Sequence, residues 1–239
     1  MEKQCLIKQP AGLGDIFFCQ KIAKQIIDKL NFIVYWPITS KYLYLNEYIK
    51  YKNLRFINVE NLQTDFNSIY YSNTPIKTDN FIFLPLQNAS TYLNLNSDEI
   101  MSSKYKLLNL EWNDWSDYFE FNRNFKRENE LYDYLNPKNL PFILINNKFA
   151  TPPNIEEIPI NIKSDKKIIY MDSTGFDNVF DWCKLLEKAD EIHTVNTSFC
   201  YIIEKLNVCD KLYMYQRGNY FKDFNYVKDI YKKPWTYKS

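Results

Sequence analysis

Short apolar segments alternate with amphipathic segments along most of this sequence, and this alternation limits the folds that the chain can adopt. The apolar segments are rich in Ile, Phe, Val and Tyr, which is typical of strands buried on both faces of a sheet. The predicted strands are 4–8, 32–36, 55–59, 80–84, 142–146, 167–171, 190–195 and 211–215. The predicted helices are 15–30, 40–51, 115–135, 177–188, 198–206 and 221–232. Strands and helices in this order predict an α/β protein with parallel sheets.

A polar segment with two prolines, residues 136–141, interrupts the pattern near the middle of the chain. It follows a charged, aromatic helical segment and precedes a new apolar strand. Such a segment is typical of a linker between domains, so we predict two α/β halves, 1–136 and 140–239. The region 86–114 has the least regular pattern, and we interpret it as an insertion or a lid.

The composition is sufficient for a buried core and gives no general electrostatic preference for one class of partner. Hydrophobic residues make up 46% of the chain and aromatic residues 18%, so a folded protein is expected. Thirty basic residues balance twenty-nine acidic ones, which gives no general attraction to nucleic acid or to an anionic membrane. Asn, Lys, Ile and Tyr are abundant while Gly and Ala are scarce, a bias that suggests an AT-rich genome.

The cysteines and the apolar runs predict where the protein resides. Five cysteines without a C-x-x-C pair are the pattern of free thiols in a reducing compartment. Gln9-Pro10 interrupts the first apolar run, and no segment approaches the roughly 20 apolar residues of a membrane-spanning helix. We therefore expect a cytoplasmic protein without a membrane span.

Glycine is scarce in this chain, and two of its four glycines, Gly12 and Gly14, lie close together. At an average usage of about 7%, a chain of this length would contain about 17 glycines. The pair lies in a turn between the first predicted strand and the first predicted helix. Glycine in such a turn lets backbone amides approach a ligand, and the start of a helix carries partial positive charge. We interpret residues 11–15 as a ligand-binding loop.

Asp15 follows this pair at the predicted start of the helix, where the helix dipole stabilises a carboxylate. An aspartate at this place can also be a simple N-cap behind a tight turn, and this second interpretation stays open here. Phe17 occupies the third glycine position of a dinucleotide-binding G-x-G-x-x-G motif, and the G-K-[ST] of a P-loop is absent.

A second strand–turn–helix segment contains Asn196, Thr197 and Ser198 between a predicted strand and a predicted helix. Two hydroxyl groups beside unpaired helix amides form a natural cradle for a diphosphate. Capping of the helix by Asn196 or Thr197 is the alternative interpretation.

Together, the two segments resemble glycosyltransferases of the two-domain GT-B fold, above all the lipopolysaccharide heptosyltransferase-type family and its relatives in bacteria and large DNA viruses. Members begin with a strand, a G-x-G-D-x-[IVL] loop and a helix, and the corresponding residues here are Gly12-Leu-Gly-Asp15-Ile16-Phe17, with Phe17 at the last position. Their second domain has a [DN]-[ST]-[ST] turn near the donor diphosphate, matched here by Asn196-Thr197-Ser198. The chain departs from the pattern around Ile202, where members often have a histidine, and it is short for this fold.

This resemblance implies a fold and a domain arrangement. The implied fold has two Rossmann-like domains with a cleft between them: residues 1–136 as the acceptor domain and 140–239 as the nucleotide-sugar-binding domain. It also implies that the C-terminal helix 221–232 crosses back onto the first domain, with Trp235 fixing its end.

The resemblance further implies a role for each motif in an inverting sugar transfer. Asp15 is expected to act as the general base on the acceptor hydroxyl. The residues expected to bind the donor and its phosphates are Gly12, Gly14, Lys148, Thr197, Ser198 and Arg217. Lys148 and Arg217 follow predicted strands, where a solvated surface charge is the other interpretation of each.

The loop 172–175 also follows a predicted strand and is suited to contact the nucleotide. Its candidate nucleotide-binding residues are Asp172, Ser173, Thr174 and Gly175, and a simple strand–helix turn is an equal alternative. No D-x-D pair occurs and His193 is the single histidine, so we expect neither a metal nor another cofactor. His193 in mid-strand, and Cys19 and Cys200 on apolar helix faces, are expected to be packing residues.

The leading hypothesis is therefore a metal-independent, inverting glycosyltransferase. Its expected partners are a nucleotide-sugar donor and a glycan or other hydroxyl acceptor. Two alternatives stay open: a non-catalytic nucleotide- or glycan-binding module of the same fold, and a nucleotide-sugar epimerase.

Overall fold

The computed structural model describes residues 2–62, 64–151, 154–172, 175–176, 178–217 and 224–238. The chain divides into two compact units, Met1–Asn122 and Arg123–Ser239. Each unit contains its own mainly parallel sheet. Within the described ranges, no helix combines the length and the apolar character needed to cross a membrane.

The first unit is a sheet whose strands are connected mainly by helices. Its strands are β1 (Gln4–Ile7), β2 (Ile33–Ile38), β3 (Leu54–Asn58), β4 (Ile76–Lys77) and β5 (Phe81–Leu84). Its helices are α1 (Leu13–Phe18), α2 (Gln20–Leu30), α3 (Leu45–Tyr48), α4 (Thr64–Tyr70), α5 (Ala89–Tyr92), α6 (Ile100–Lys106) and α7 (Trp115–Tyr118). The described strands have the order β3-β2-β1-β5-β4, and only β4 is antiparallel to its neighbour.

β1 is the central strand of the first sheet, and its burial agrees with this position. Cys5, Leu6 and Ile7 have no exposed surface, as expected for a strand covered on both faces. The chain places β2 and β3 on one side of β1 and β5 on the other, so the strand order reverses at β1. Open α/β sheets bind ligands outside the carboxyl ends of the strands at such a reversal. In this sheet that place lies beyond Ile7 and Leu84.

The second unit contains a parallel sheet, a separate hairpin and a shorter set of helices. Its strands are β6 (Phe142–Asn146), β7 (Lys148–Thr151), β8 (Asn154–Glu157), β9 (Lys167–Tyr170), β10 (Glu191–Val195), β11 (Leu212–Tyr215) and β12 (Trp235–Lys238). Its helices are α8 (Phe125–Leu135), α9 (Cys183–Lys188), α10 (Ser198–Lys205) and α11 (Asn225–Lys228). The described sheet has the order β12-β11-β10-β6-β9, and β7 pairs antiparallel with β8 outside it.

This strand order also contains a reversal. From β6 the chain moves outward to β9, and it then returns to the other side of β6 to add β10, β11 and β12 in turn. Taken by themselves, these strands follow the order 2-1-3-4-5 of flavodoxin-like folds, which bind a ligand between the first and third strands. The corresponding place here lies beyond Asn146 and Val195, at the carboxyl ends of β6 and β10.

The prediction of an α/β protein with parallel sheets is confirmed, and all eight predicted strands are present. The long helix predicted over 115–135 is wrong, because α7 and α8 are separated by residues 119–124, which are not helical. The short β4, the β7–β8 hairpin and β12 were not predicted.

The boundary between the units differs from the predicted one. It lies between Asn122 and Arg123, ahead of the segment 136–141, so α8 belongs to the second unit rather than to the first. The physical reason is a set of three ion pairs made by Arg123 and Arg127. Arg127 donates hydrogen bonds from Nε and Nη2 to the buried carboxylate of Asp181, and Arg123 binds Glu128 and Glu187.

The predicted C-terminal helix 221–232 is also wrong. Residues 221–223 lie outside the described residues, and only Asn225–Lys228 is helical in the remainder. The chain then forms β12, which pairs in parallel with β11, so this segment completes the second sheet. Trp235 is held there by a hydrogen bond from its Nε1 to Glu204 Oε1, at 2.8 Å.

Asparagine takes the left-handed backbone positions of this glycine-poor chain. Every non-glycine residue with a positive φ among the described residues is an asparagine: Asn31, Asn53, Asn94, Asn109 and Asn139. Asn31, for example, ends α2 with a φ of 57° and donates its backbone N–H to Ile27 O. Asparagine tolerates this region better than other residues with a Cβ, so few turns in the chain require glycine.

Replacing Arg127 should destabilise the second unit more than replacing its partner. The Asp181 side chain has no exposed surface while that of Arg127 is 40% exposed, so Arg127→Ala leaves a buried carboxylate without its cation. A loss of about 3 kcal/mol is expected in the free energy of unfolding measured with urea. Asp181→Asn should lose less, because the guanidinium can turn toward water.

Lys126→Ala is the matched control for this prediction. Lys126 lies beside Arg127 on α8, but its side chain is 87% exposed and its contact with Glu130 is 3.9 Å long. Its replacement should change the free energy of unfolding by less than about 0.5 kcal/mol. Equal losses for Arg127→Ala and Lys126→Ala would contradict the proposed importance of the buried pair.

Candidate functional site

The loop after β1 is held in place by hydrogen bonds from the neighbouring strand. Trp36 Nε1 donates to Gln9 O at 3.1 Å, and Thr39 N donates to Pro10 O at 3.0 Å. Gln9 is itself buried and donates from Nε2 to Ala11 O at 2.6 Å. The loop therefore has a defined conformation at the carboxyl end of β1, where the strand order reverses.

Gly12 is required in this loop by two separate constraints. Its φ is +78°, in the left-handed region, and it occupies the N-cap position of α1. A Cβ added to Gly12 would lie 2.3 Å from Asp15 Oδ2, far inside van der Waals contact. The carboxylate of Asp15 thus occupies the space that any other residue at position 12 would need for its side chain.

Asp15 lies in the first turn of α1, so the interpretation of Asp15 as the N-cap is wrong. No side chain caps this helix, and Gly14 lies within the same turn. The first amides of a helix have no acceptor within the helix. The Asp15 side chain keeps 29% of its surface exposed, which leaves the carboxylate accessible beside the loop.

Lys104 is a partner of Asp15 that sequence reasoning missed. Its Nζ lies 3.2 Å from Asp15 Oδ1, donates to Gln9 Oε1 at 2.8 Å and also contacts Leu86 O at 3.3 Å. The side chain is only 3% exposed. A lysine side chain that is so deeply buried is rare unless it is paired. Burial of a particular side chain is not directly visible in a sequence, so Lys104 was not recognised from the sequence.

The interpretation of region 86–114 as a lid is wrong for α6. Met101, Lys104 and Tyr105 on this helix are buried. Tyr105 stacks edge-on against Phe18 and donates a hydrogen bond from its hydroxyl group to Phe18 O at 2.5 Å. α6 therefore packs as an integral part of the first unit.

In the second unit, Asn146 connects the two strands at the reversal of the strand order. Its Nδ2 donates to Thr194 Oγ1 and to Thr197 Oγ1, each at 2.9 Å. Asn146 is the last residue of β6 and Thr197 directly precedes α10, so this amide fixes the turn that carries the predicted diphosphate cradle. The sequence did not single out Asn146.

The turn before α10 lacks the side-chain cap that the interpretation of Thr197 as a capping residue required. Thr197 occupies the N-cap position, but its side chain makes no capping hydrogen bond. Asn196 Oδ1 instead accepts a hydrogen bond from Tyr231 OH at 2.6 Å. Ser198 begins the helix and is half-buried. The amides at the start of α10 are consequently without a side-chain cap from Thr197.

Arg217 lies just beyond β11, at the same edge of the sheet. Its guanidinium packs 5.1 Å from the ring centroid of Phe149 on the β7–β8 hairpin. Its Nε is buried and has no hydrogen-bond partner within the described part of the chain. Burial raises the pKa of the Cys200 thiol to about 12, and the nearby charge of Arg217 opposes this shift, which places Arg217 near the first turn of α10.

Lys148 and Asp172, predicted separately, are brought together as an ion pair. Their hydrogen bond raises the pKa of Lys148 above its usual value. Ser173 and Thr174 lie outside the described residues. Gly175 has a φ of +81°, and no described atom lies within 4 Å of the place of its Cβ. The structure thus supports a turn at Gly175 and an ionic contact for Lys148.

The remaining candidates are packed side chains. His193 is buried on β10, stacked on Tyr213 with 4.3 Å between ring centroids, and its Nδ1 lies 2.9 Å from Tyr215 OH. Burial lowers the pKa of His193. Cys19 and Cys200 are fully buried, and all five cysteines are free.

Known proteins resemble this chain in their fold rather than in their sequence. The sequence matches no protein-family model and no curated protein. A glycosyl transferase family 9 protein from Veillonella parvula matches with a TM-score of 0.55 at 10% sequence identity, over 99% of this chain and 85% of that chain.

The dodecameric, iron-containing glycosyltransferase TibC from enterotoxigenic Escherichia coli matches with a TM-score of 0.54 at 8% identity. The match covers 100% of this chain and 63% of TibC, so this chain spans less than two thirds of the length of TibC. A complex of the heptosyltransferase TibC with ADP-D-β-D-heptose matches to the same extent. These neighbours show that the α/β fold with parallel sheets is one used by glycosyltransferases.

Gly12→Ala should destabilise the protein more than Gly175→Ala. Both glycines have nearly the same φ, +78° and +81°, so both changes lose about 1–2 kcal/mol from the left-handed backbone alone. Only Gly12→Ala adds the collision with Asp15. Urea unfolding of the two variants measures the difference.

A double-mutant cycle identifies the source of the extra loss. In an Asp15→Ala background, the nearest remaining atom is the Cβ of residue 15, at 3.5 Å, which is ordinary contact. The cost of Gly12→Ala should then fall to that of Gly175→Ala. An unchanged cost of Gly12→Ala in that background would show that the carboxylate does not restrict position 12.

Proposed function

We propose that this protein is an inverting glycosyltransferase that moves a sugar from a nucleotide-sugar donor to a glycan or other hydroxyl acceptor. The observation that carries this proposal is Asp15. An accessible carboxylate stands beside a glycine whose Cβ it excludes, at the strand-order reversal of a fold that glycosyltransferases use.

Asp15 is the general base in this proposal. Its carboxylate accepts the proton of the acceptor hydroxyl, and the oxygen attacks the anomeric carbon of the donor from the face opposite to the leaving group. The bond between the sugar and the nucleoside diphosphate breaks as the new glycosidic bond forms. The configuration at the anomeric carbon is therefore inverted.

The second unit supplies the donor side of the reaction. The departing diphosphate gains negative charge and needs donors placed in advance. The amides that begin α10, the hydroxyl groups of Thr197 and Ser198, and the guanidinium of Arg217 are suited to this task. TibC binds ADP-D-β-D-heptose, and a nucleotide-sugar is the corresponding donor class that we propose here.

The remaining parts of this proposal rest on the amino-acid sequence. We propose that Gly12 and Gly14 allow the loop after β1 to approach the donor phosphates. We further propose that the two units act as the acceptor and donor domains of a GT-B enzyme. The protein is proposed to work in the cytoplasm. No D-x-D pair occurs in the sequence, so transfer is expected to persist after treatment with EDTA.

Asp15→Asn should remove transfer and preserve donor binding. The amide cannot accept the acceptor proton, so kcat should fall by about 10²–10⁴-fold. Transfer is measured with a panel of nucleotide-sugars, chosen by thermal shift with UDP, GDP, ADP and CMP and their sugar conjugates. A nucleotide present at 100 times its Kd should stabilise wild type and variant alike by about 2.7 kcal/mol.

The outcomes separate this proposal from its alternatives. Full turnover by Asp15→Asn would remove Asp15 as the base. Nucleotide binding without transfer to any acceptor would indicate a binding module, and conversion of the donor sugar without an acceptor would indicate an epimerase.

Arg217→Gln should weaken binding of the nucleoside diphosphate. Losing a charge-assisted hydrogen bond costs about 1.5–3 kcal/mol, so Kd should rise by about 10- to 150-fold in calorimetric titration. Lys211→Gln is the matched control, because Lys211 is exposed, lies at the amino end of the same strand and is paired with Glu191 at 3.2 Å. Equal effects of the two changes would contradict the assignment of Arg217.

A further inference from the structure

The first unit buries the ammonium group of Lys104 beside the candidate base. Lys104 lies on α6 with its side chain 3% exposed, and the neighbouring Met101 and Tyr105 of this helix are also buried. Burying a charge is costly unless it is paired and hydrogen-bonded. An apolar residue would fill such a place at less cost, so the charge itself calls for an explanation.

The contacts of Lys104 converge on the candidate base. Of its three oxygen partners, Gln9 Oε1 and Leu86 O are neutral, and Asp15 Oδ1 carries the compensating charge. Gln9 is part of the loop that precedes Asp15, and its own Nε2 holds Ala11 O. Lys104 therefore binds both the loop and the carboxylate that follows it.

The two oxygens of Asp15 are restrained on different sides. Oδ1 faces Lys104 Nζ at 3.2 Å, while Oδ2 occupies the space beside Gly12 where a Cβ would lie at 2.3 Å. The side chain nevertheless keeps 29% of its surface exposed. The carboxylate is thus fixed in direction and still reachable by an acceptor.

We propose that Lys104 is the positioning residue of the base, and this inference rests on the proposed function. The ammonium holds the carboxylate of Asp15 in the orientation in which it meets the acceptor hydroxyl, and itself touches no substrate. A displacement of about 1 Å of a reacting group can cost 10²-fold in rate, so removing this contact is expected to act on kcat.

Lys104→Met is the main test variant, and Lys21→Met is its matched control. Lys21 is a second buried lysine of the first unit, with a side chain 8% exposed, and it pairs with Asp114 and donates to Glu111 O at 2.7 Å. Both changes remove a buried ammonium from a helix-packed site. Only Lys104→Met removes one that contacts Asp15.

Steady-state transfer is then measured for the full chain and its variants. Lys104→Met is expected to lower kcat by about 10- to 100-fold with the KM for the donor unchanged, whereas Lys21→Met keeps kcat within about twofold. Lys104→Arg, which keeps the charge, should recover part of the loss. The double variant Asp15→Asn/Lys104→Met should be no slower than Asp15→Asn alone, because both residues act on one step.

Several results would overturn the inference. These are an unchanged kcat in Lys104→Met, an equal loss in Lys21→Met, or multiplicative losses in the double variant. Where Lys104→Met does not fold, Lys104→Gln replaces it in the same series.

A measurement independent of activity separates this inference from the proposed function. A cycle of Asp15→Asn, Lys104→Met and the double variant in urea should show a coupling of about tenfold in the unfolding equilibrium constant. If Asp15 and Lys104 are coupled in stability but the wild-type protein transfers no sugar, the proposed function is rejected and the contact between the two residues is retained. If the losses in stability are additive but the enzyme transfers sugar, the positioning role of Lys104 is rejected and the proposed function is retained.

Discussion

A buried ammonium group needs acceptors on several sides, and Lys104 meets this need by joining three parts of the first unit. It contacts the loop after β1 through Gln9, the segment after β5 through Leu86 O, and α1 through Asp15. These parts come from distant places in the sequence and meet where the strand order reverses. A single charge thus connects the packing of α6 to the geometry of the candidate base.

The second unit reaches a similar arrangement with neutral groups. At its own reversal, the amide of Asn146 donates to two threonine hydroxyl groups and so fixes Thr197 ahead of α10. Parallel strands present their carboxyl ends at one edge, so the side chains that follow β6, β10 and β11 are directed to a common region. The first unit places a carboxylate at its edge, whereas the second places helix amides, hydroxyl groups and Arg217.

The sequence allowed the strands and the two motifs to be predicted because both are local. Apolar runs identified the eight strands, and the spacing of Gly12 and Asp15 identified the loop. Lys104 could not be predicted, because its partner Asp15 is distant in the chain and Lys104 itself lies in the region 86–114, which has the least regular pattern. β12 was missed for a related reason: it is an edge strand whose pairing with β11 decides its conformation. Of the predicted helix 221–232, only Asn225–Lys228 is helical among the described residues.

The left-handed asparagines have a consequence for how mutation acts on this chain. At Asn31 or Asn53 the backbone has a positive φ and leaves room for a side chain, and glycine would tolerate the same backbone conformation. A genome that disfavours the GC-rich codons of glycine can drift to asparagine at such turns without losing the fold. Gly12 is closed to that drift, because its neighbour's carboxylate occupies the volume of a side chain. The two described glycines with a positive φ thus differ: a neighbouring atom excludes any side chain at Gly12, whereas the space beside Gly175 is open within the described part of the chain.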